Sequence, residues 1–265
     1  PGFADLWAWR GGARQNWGYF LLLRAEDPGE QHGAAEKDLS QALALKPKLT
    51  RALLWRGDVR THEGLWRHAR GQDPTETYAR AQEDYDAALA IDAGSADAWL
   101  RRGMVRPDWG NWRPAAGADA SALYEGACGD FEKATGLNPK SVDAWLKLGD
   151  TRANWAVWLK AAGKDPRPEL RLAMADYGEA MRLEPAYAPA YSNRGFARME
   201  EAQAGEARGE DPRETYAEAI RDLDQALERD PEYGDAYNNR GNAWRLQGLA
   251  KAARGGDASE NWRRS

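Results

Sequence analysis

The chain has 265 residues, 30% of them charged, and a formal net charge of −5 at pH 7. This acidic balance, without a run of Lys or Arg, argues against nucleic acid as a partner. No segment approaches the roughly 18 consecutive apolar residues of a membrane span. The single cysteine, Cys128, excludes an intramolecular disulfide framework and favours a reducing compartment such as the cytoplasm.

A repeat of 46 residues runs through the whole chain and is marked by one recurring glycine. Self-similarity at such a period predicts a repeat architecture, here a single solenoid from residue 1 to residue 265. Residues 1–3 match the end of a preceding repeat and the last repeat is incomplete, so we expect a piece of a longer protein. The glycines are Gly11, Gly57, Gly103, Gly149, Gly195 and Gly241. The predicted repeats, numbered 1 to 6, are 4–49, 50–95, 96–141, 142–187, 188–233 and 234–265.

Each repeat predicts two helices, because apolar and small residues recur at helical spacing in both of its halves. In repeat 1 helix A is predicted over about residues 4–24 and helix B over about 29–46. The stretch from Gly163 to Pro166, "GKDP", supplies a helix stop, a capping aspartate and a proline suited to a first helical turn. Pro107 and Pro114 lie inside helix A of repeat 3 and predict a kink or a break there.

The recurring residue columns resemble the tetratricopeptide repeat over the whole chain. That resemblance implies an all-α fold, a right-handed superhelical solenoid of antiparallel helix pairs. Two departures mark this chain as an elongated variant: the unit exceeds the family's ~34 residues, and arginine replaces the usual aromatic residue three positions after the glycine. In repeat 4 the columns are Trp145 and Gly149, followed by Ala173, Tyr177, Ala180 and Pro185.

The chain is rich in tryptophan, with 13 residues. Two aromatic columns continue the side of helix A that the resemblance places against the neighbouring A helix, so we interpret them as packing residues that wedge long helices together. An aromatic surface for nucleic-acid bases or a Pro-rich peptide is the open alternative. The columns are Trp17, Trp109 and Trp155, and Phe20, Trp66, Trp112 and Trp158.

An arginine column on helix A and an aspartate column on helix B predict one internal ion pair in each complete repeat. The aspartates share a face with alanines three residues before and four after, so they point toward helix A. We expect the pairs to fix the register between near-identical helices. They are Arg14–Asp38, Arg60–Asp84, Arg106–Asp130, Arg152–Asp176 and Arg198–Asp222.

The resemblance also implies a concave face formed mainly by the A helices. Apolar residues flanked by carboxylates predict a groove for a protein or peptide segment with apolar anchors and Lys or Arg between them. The predicted partner-binding residues are Leu54, Asp58, Leu100, Met104, Asp108, Leu146, Asp150, Phe196 and Met199.

No residue pattern predicts an enzyme, a cofactor or a bound metal. His62 and His68 are six residues apart, unlike the four-residue spacing of a helical metal site. Cys128 has no histidine and acid at a recognisable spacing. We therefore predict a non-catalytic scaffold that binds a partner segment in its groove. Two alternatives stay open: a scaffold that self-associates through its repeat ends into a filament or ring, and a recruiting arm of a larger enzyme.

Overall fold

The computed structural model describes residues 2–115 and 120–265, with the backbone alone for 107–115. It divides into two compact units, Pro1–Pro139 and Lys140–Ser265, which we call the N-terminal and C-terminal halves. Continuity of the two halves as one solenoid stays a prediction. Every regular element in the described part of the chain is an α-helix.

The described helices come in pairs, each with a first (A) helix and a second (B) helix. The N-terminal half contains α1 (Phe3–Leu23), α2 (Gly29–Leu45), α3 (Thr50–Ala69), α4 (Thr75–Ile91), α5 (Ala96–Ala115) and α6 (Ser121–Leu137). The C-terminal half contains α7 (Val142–Ala161), α8 (Arg167–Leu183), α9 (Ala188–Glu206), α10 (Arg213–Arg229), α11 (Gly234–Ala253) and α12 (Ser259–Arg264). Odd-numbered helices are the A helices, and within each half neighbouring A helices contact one another.

The turn between the A and B helices follows the predicted chemistry. Gly163 has φ +72°, and the amide of Lys164 donates to the carbonyl of Leu159 over 2.8 Å. This left-handed glycine after a helix satisfies carbonyls that the last turn leaves open. The Asp165 carboxylate then accepts from the amide of Arg167 over 3.2 Å at the start of α8. The sequence "GKDP" therefore ends one helix and begins the next.

The repeat glycine marks a close contact between the A and B helices of one repeat. A Cβ at Gly57 would lie 2.5 Å from Cε1 of Tyr85, and a Cβ at Gly149 would lie 2.6 Å from Cε1 of Tyr177. Both distances are too short for any side chain, so the tyrosine ring rests directly on the glycine backbone. A buried aromatic side chain removes roughly 150–250 Å² from water, which makes this contact a main part of the cores of repeats 2 and 4.

Two expectations about the helices are met only in part. The sequence predicts a kink or a break in repeat 3, and the break does not occur, because α5 is helical from Ala96 to Ala115. A proline removes one backbone donor and can kink a helix without ending it, so the kink stays a prediction. The aromatic wedge fails in α1, where Trp17 and Phe20 are exposed, whereas Trp66, Trp155 and Trp158 are half-buried. Trp109 and Trp112 lie outside the residues whose side chains are described.

Candidate functional site

The structure brings together each of the five arginine–aspartate pairs expected within repeats. The aspartates are almost fully buried, while the arginines reach them from the A helix. Buried charges need such partners, because an isolated buried carboxylate is costly. The Nη1–Oδ2 distances are 2.5 Å for Arg14–Asp38, 2.7 Å for Arg60–Asp84, 2.9 Å for Arg106–Asp130 and 2.5 Å for Arg152–Asp176, and Arg198 also contacts Asp222.

A second arginine binds the same aspartate in four repeats, which the sequence analysis missed. Arg102, for example, donates from Nε and Nη2 to both oxygens of Asp130, over 3.0 and 2.6 Å. Its Nη1 lies 2.5 Å from Asp86 on the preceding B helix. These carboxylates are therefore saturated inside the fold and unavailable to a partner. The sequence signal for this second arginine was an arginine directly before the repeat glycine. Repeat 4 has Leu148 at this position, and the arginines of the four repeats are Arg10, Arg56, Arg102 and Arg194.

Two of the predicted groove residues are instead part of the core. Leu146 is 6% exposed and Met199 is 1% exposed. The face predicted for Met199 turns into the core of the C-terminal half. The residues at the same position in repeats 1, 2 and 4 are also buried, whereas Arg245 in repeat 6 is exposed; the buried ones are Gln15, Thr61 and Ala153.

The remaining predicted residues differ in their exposure. Met104 is exposed, Leu54, Leu100 and Phe196 are half-buried, and Asp108 lies outside the residues whose side chains are described. Leu54 and Phe196 pack against the cores of their halves. Of the apolar residues predicted for the groove, Leu100 and Met104 are therefore the ones that can offer surface to a partner.

Asp58 and Asp150 are half-buried and already have partners. Asp58 accepts a hydrogen bond of 2.9 Å from the hydroxyl of Tyr85 and contacts Arg101 of the next repeat. Asp150 accepts from Tyr177 over 3.0 Å and from Asn193 over 2.8 Å. Burial raises the pKa of both carboxyl groups above the usual value, although their donors act in the opposite direction. Both aspartates thus join a repeat to the next one.

A cavity of about 360 Å³ opens between α1, α3 and α5 in the N-terminal half. It contains three of the predicted residues, Asp58, Leu100 and Met104. Their neighbours in the cavity are mostly aromatic or polar. The helical wheel also places His62 and Asp97 on this face, but it did not find the others, which are Gln15, Asn16, Tyr19, Trp55, Thr61, Tyr85 and Arg101.

The acidic edge of the cavity is held in place by Arg101. The Nε atom of Arg101 lies 2.9 Å from Asp97 on the same helix, and its Nη1 contacts Asp58 on α3. Two carboxylates around one guanidinium leave a formal charge of −1. Asp97 is exposed, so its carboxylate is the part of this cluster that a solvent-borne group can reach.

His62 forms an uncharged part of the cavity wall. Its ring stacks on Tyr19 with the centroids 4.5 Å apart, and its Nδ1 lies 3.4 Å from Nε2 of Gln15. Burial, with smaller contributions from His32 and Arg101, lowers the pKa of His62 to about 4. The imidazole is therefore neutral at pH 7 and presents a flat apolar face.

Other kinds of site find little support in residues 2–115 and 120–265. No group of three or more His, Cys, Asp or Glu side chains in this part of the chain could hold a metal ion. No helix there combines the length and apolar character that crossing a bilayer requires.

Comparisons with known proteins agree with the helix-pair architecture. Residues 213–258, which cover α10 and α11, match the tetratricopeptide repeat family model. No curated protein matches the chain in sequence.

Several solved structures are similar in fold. YrrB, a tetratricopeptide repeat protein with an unusual peptide-binding site, has a TM-score of 0.52 and 17% identity, over 85% of this chain and 89% of its own. A thermophilic tetratricopeptide repeat protein of Thermus thermophilus has a TM-score of 0.52 and 17% identity, over 88% and 98%. MamA of Desulfovibrio magneticus RS-1, from residue 41 onward, has a TM-score of 0.53 and 15% identity, over 85% and 97%. Residues 213–258 thus match the tetratricopeptide repeat family in sequence, and the described residues share the fold of solved tetratricopeptide repeat proteins.

Proposed function

We propose that the chain is an interaction scaffold that binds a segment of another protein in the cavity between α1, α3 and α5. The observation that carries this proposal is the composition of the cavity wall, which joins aromatic faces and apolar side chains to an exposed carboxylate. The peptide-binding site of YrrB, a structural neighbour, supports the same class of function.

The preferred segment has a Lys or Arg next to an apolar residue. The rings of Tyr19 and Trp55 line the same cavity as Asp97, so a cationic side chain bound there would meet aromatic faces and a carboxylate. A cation over an aromatic ring gains about 0.5–2 kcal/mol, depending on its desolvation. Met104 and Leu100 offer an adaptable apolar surface for the neighbouring residue.

The C-terminal half supports this function less well. Leu146 and Met199 are buried, and Asp150 is held by Tyr177 and Asn193. Binding is therefore assigned to the N-terminal half, and the row of groove residues expected along the whole chain is reduced to one site.

The test is selection of peptides from a random displayed library, followed by calorimetry with the selected peptides. We expect enrichment of segments that place Lys or Arg beside an apolar residue. Asp97→Lys should weaken their binding at least tenfold, because it reverses the exposed charge of the cavity. Asp143→Lys is the matched control: Asp143 occupies the same repeat position on α7, is exposed, and lies outside the cavity. Equal loss in both variants, or selection of acidic peptides, would contradict the proposal.

A further inference from the structure

A second cavity, of about 210 Å³, lies between α2, α3 and α4 in the N-terminal half. It shares no residue with the cavity between α1, α3 and α5. Its wall comes from repeats 1 and 2 and is mostly charged or polar. We call it the α2–α4 cavity; its charged residues are Glu36, Arg60, Glu63, Arg67 and Arg80.

His32 lines this cavity as a buried polar side chain without a hydrogen bond. It is 3% exposed, and neither ring nitrogen has a hydrogen-bond partner in the described residues. The edge formed by Cδ2 and Nε2 packs on Gly18, where an added Cβ would lie 2.2 Å from Cδ2. Nδ1 lies on the other side of the ring, 3.8 Å from Oε2 of Glu63 on the cavity wall. That distance is too long for a hydrogen bond, so an occupant of the cavity could satisfy Nδ1.

An imidazole at this position of the repeat is peculiar to repeat 1. The shared packing of A and B helices therefore does not require the two ring nitrogens of His32. The equivalent residues on the other B helices are Tyr78, Tyr124, Leu170, Tyr216 and Trp262.

Gly33 leaves part of the cavity open. A Cβ at this position would meet nothing within 4 Å. The equivalent residue in repeat 4 is Arg171, which donates to Glu201 of repeat 5 over 2.7 Å. Glu63 corresponds to Glu201 and takes its arginine, Arg67, from its own helix over 2.9 Å. The space beside Gly33 is therefore free, although the glutamate next to it is already paired.

The charges around the cavity favour an anion. Three arginines and two glutamates line it, which leaves an excess of one positive charge. Asp84, which Arg60 also contacts, is balanced by Arg56 outside the cavity. An acidic ligand would therefore neutralise the wall, whereas a cation would add to its charge.

The hydrogen-bonding groups point to the same kind of ligand. Glu36 is bound by Arg60 over 2.9 Å and by Arg80 over 2.6 Å, and Glu63 is bound by Arg67. In these contacts Arg67 uses only Nε and Arg80 only Nη2. Their side chains remain 43% and 46% exposed, so their other N–H groups can reach an oxyanion that enters from solvent.

We propose that the α2–α4 cavity binds a small oxyanion, a free phosphate or a free carboxylate, between Arg67, Arg80 and Nδ1 of His32. The two guanidinium groups attract and hold the anion, and Nδ1 donates the innermost hydrogen bond. The volume of about 210 Å³ is below the ~300 Å³ at which pockets for drug-sized ligands begin, so the ligand is a small ion or acid. This inference concerns a different cavity from the proposed peptide site and does not depend on it.

The first test is NMR of the histidine ring nitrogens during titration with inorganic phosphate, and in a second arm with acetate, at constant pH and ionic strength. The chain has three histidines, so replacing each in turn assigns their resonances. We expect a saturable shift of the His32 Nδ1 resonance in at least one arm, and that arm identifies the anion. His68, which does not line the cavity, should not respond. No saturable shift of His32 in either arm would overturn the proposal.

The second test blocks the cavity. Gly33→Glu places a carboxylate where the anion would bind, and the open space at this exposed glycine lets α2 keep its packing. Binding of the anion, measured by calorimetry, should fall at least about tenfold. Gly129→Glu is the matched control, because Gly129 is exposed on the B helix α6 and an added Cβ there also meets nothing within 4 Å. It should bind as the parent does.

The third test removes the donors one at a time. Arg67→Gln and Arg80→Gln should each weaken binding about tenfold, because each removes a charged donor. Arg182→Gln, at an exposed arginine of α8, should have no effect. His32→Phe keeps a ring on Gly18 without the nitrogens and should also weaken binding, and far-UV circular dichroism verifies that each variant keeps its helices. Binding that Gly33→Glu and both arginine variants leave unchanged, or that the controls weaken equally, would contradict a site in this cavity.

Discussion

Tyr85 donates a hydrogen bond of 2.9 Å to Asp58, and its ring covers the glycine that precedes this aspartate. Tyr177 and Asp150 repeat the arrangement over 3.0 Å. A buried hydroxyl needs an acceptor, and repeats without the tyrosine have no aspartate at the matching position. In those repeats the matching pairs are Leu39 and Gly12, Phe131 and Met104, and Leu223 and Phe196. The carboxylates of Asp58 and Asp150 therefore accept hydrogen bonds within the fold, whether or not a partner binds.

Removing the Tyr85 hydroxyl should reduce stability. Tyr85→Phe leaves the ring on Gly57 but takes one donor from Asp58 and one hydrogen-bond partner from the buried Thr61 hydroxyl. We expect a loss of about 1–2 kcal/mol in the free energy of unfolding, measured by urea denaturation. Tyr237→Phe, at an exposed position, should change it by less than about 0.5 kcal/mol. Equal effects of the two changes would contradict this role of the hydroxyl.

The glycine beneath the ring should tolerate no side chain. Gly57→Ala places a Cβ 2.5 Å from the Tyr85 ring, so the helices must separate, at a cost of about 1–3 kcal/mol in unfolding free energy. Gly129→Ala is the matched control, because Gly129 is exposed within α6 and a Cβ there meets nothing within 4 Å. It should stabilise the chain by about 0.5–1 kcal/mol through helix propensity. Thermal denaturation of both variants gives the comparison, and the same sign for both would contradict the close contact.

Neutralising a buried aspartate should be costly. Asp84→Asn removes the buried charge that Arg56 and Arg60 share, so that Arg56 loses its carboxylate and Arg60 keeps only Glu36. We expect a loss of about 3 kcal/mol or more in unfolding free energy. The exposed pair of Arg24 and Glu26 provides the control, and Glu26→Gln should cost less than about 1 kcal/mol. A loss for Asp84→Asn no larger than the control would show that the pair is dispensable.

Stability should fall on mild acidification because of His62. Its pKa is about 4 in the fold and ~6.5 in an unfolded chain, so the unfolded state binds the proton first. The contribution of neutral His62 to the free energy of unfolding is complete above pH ~6.5. It is lost as the pH falls toward 4, by up to about 3 kcal/mol. The raised pKa of Asp58 acts in the opposite direction, because its protonation in acid favours the fold.

The measurement isolates His62 by substitution. His62→Gln keeps a polar side chain that cannot titrate, so its unfolding free energy should depend less on pH between about 7 and 4.5 than that of the parent. Urea denaturation at several pH values gives the two curves. Parallel curves would mean that the imidazole is as accessible in the fold as in the unfolded chain.

The sequence predicted the helix pair and the ion pair within a repeat, but it did not predict which helix faces pack between repeats. The glycine period predicted helix pairs, and helical spacing counted back from the A–B turn predicted that Arg60 lies opposite Asp84, where the structure has it. The side of an A helix that faces the core depends on how successive repeats pack. A helical wheel of one helix carries no information about that packing. Met199 was therefore assigned to the wrong face.

The cavity illustrates the same limit. Its wall combines Tyr19, Trp55 and Arg101 from three different repeats. These positions do not stand out in their own columns, and only the contact between neighbouring A helices brings them together. One signal was available: in the repeat columns, tyrosine on helix B occurs with aspartate on helix A, and a covarying pair of this kind indicates contact.

The contacts of Asp58 with Arg101 and of Asp150 with Asn193 each run from a repeat to its successor. Asp58 and Asp150 are two repeat lengths apart, whereas the same position carries Gly12, Met104, Phe196 and Asn242 in the other repeats. Neighbouring repeats are therefore not interchangeable. Insertion of a single repeat directly after either aspartate would replace the side chain that this aspartate meets.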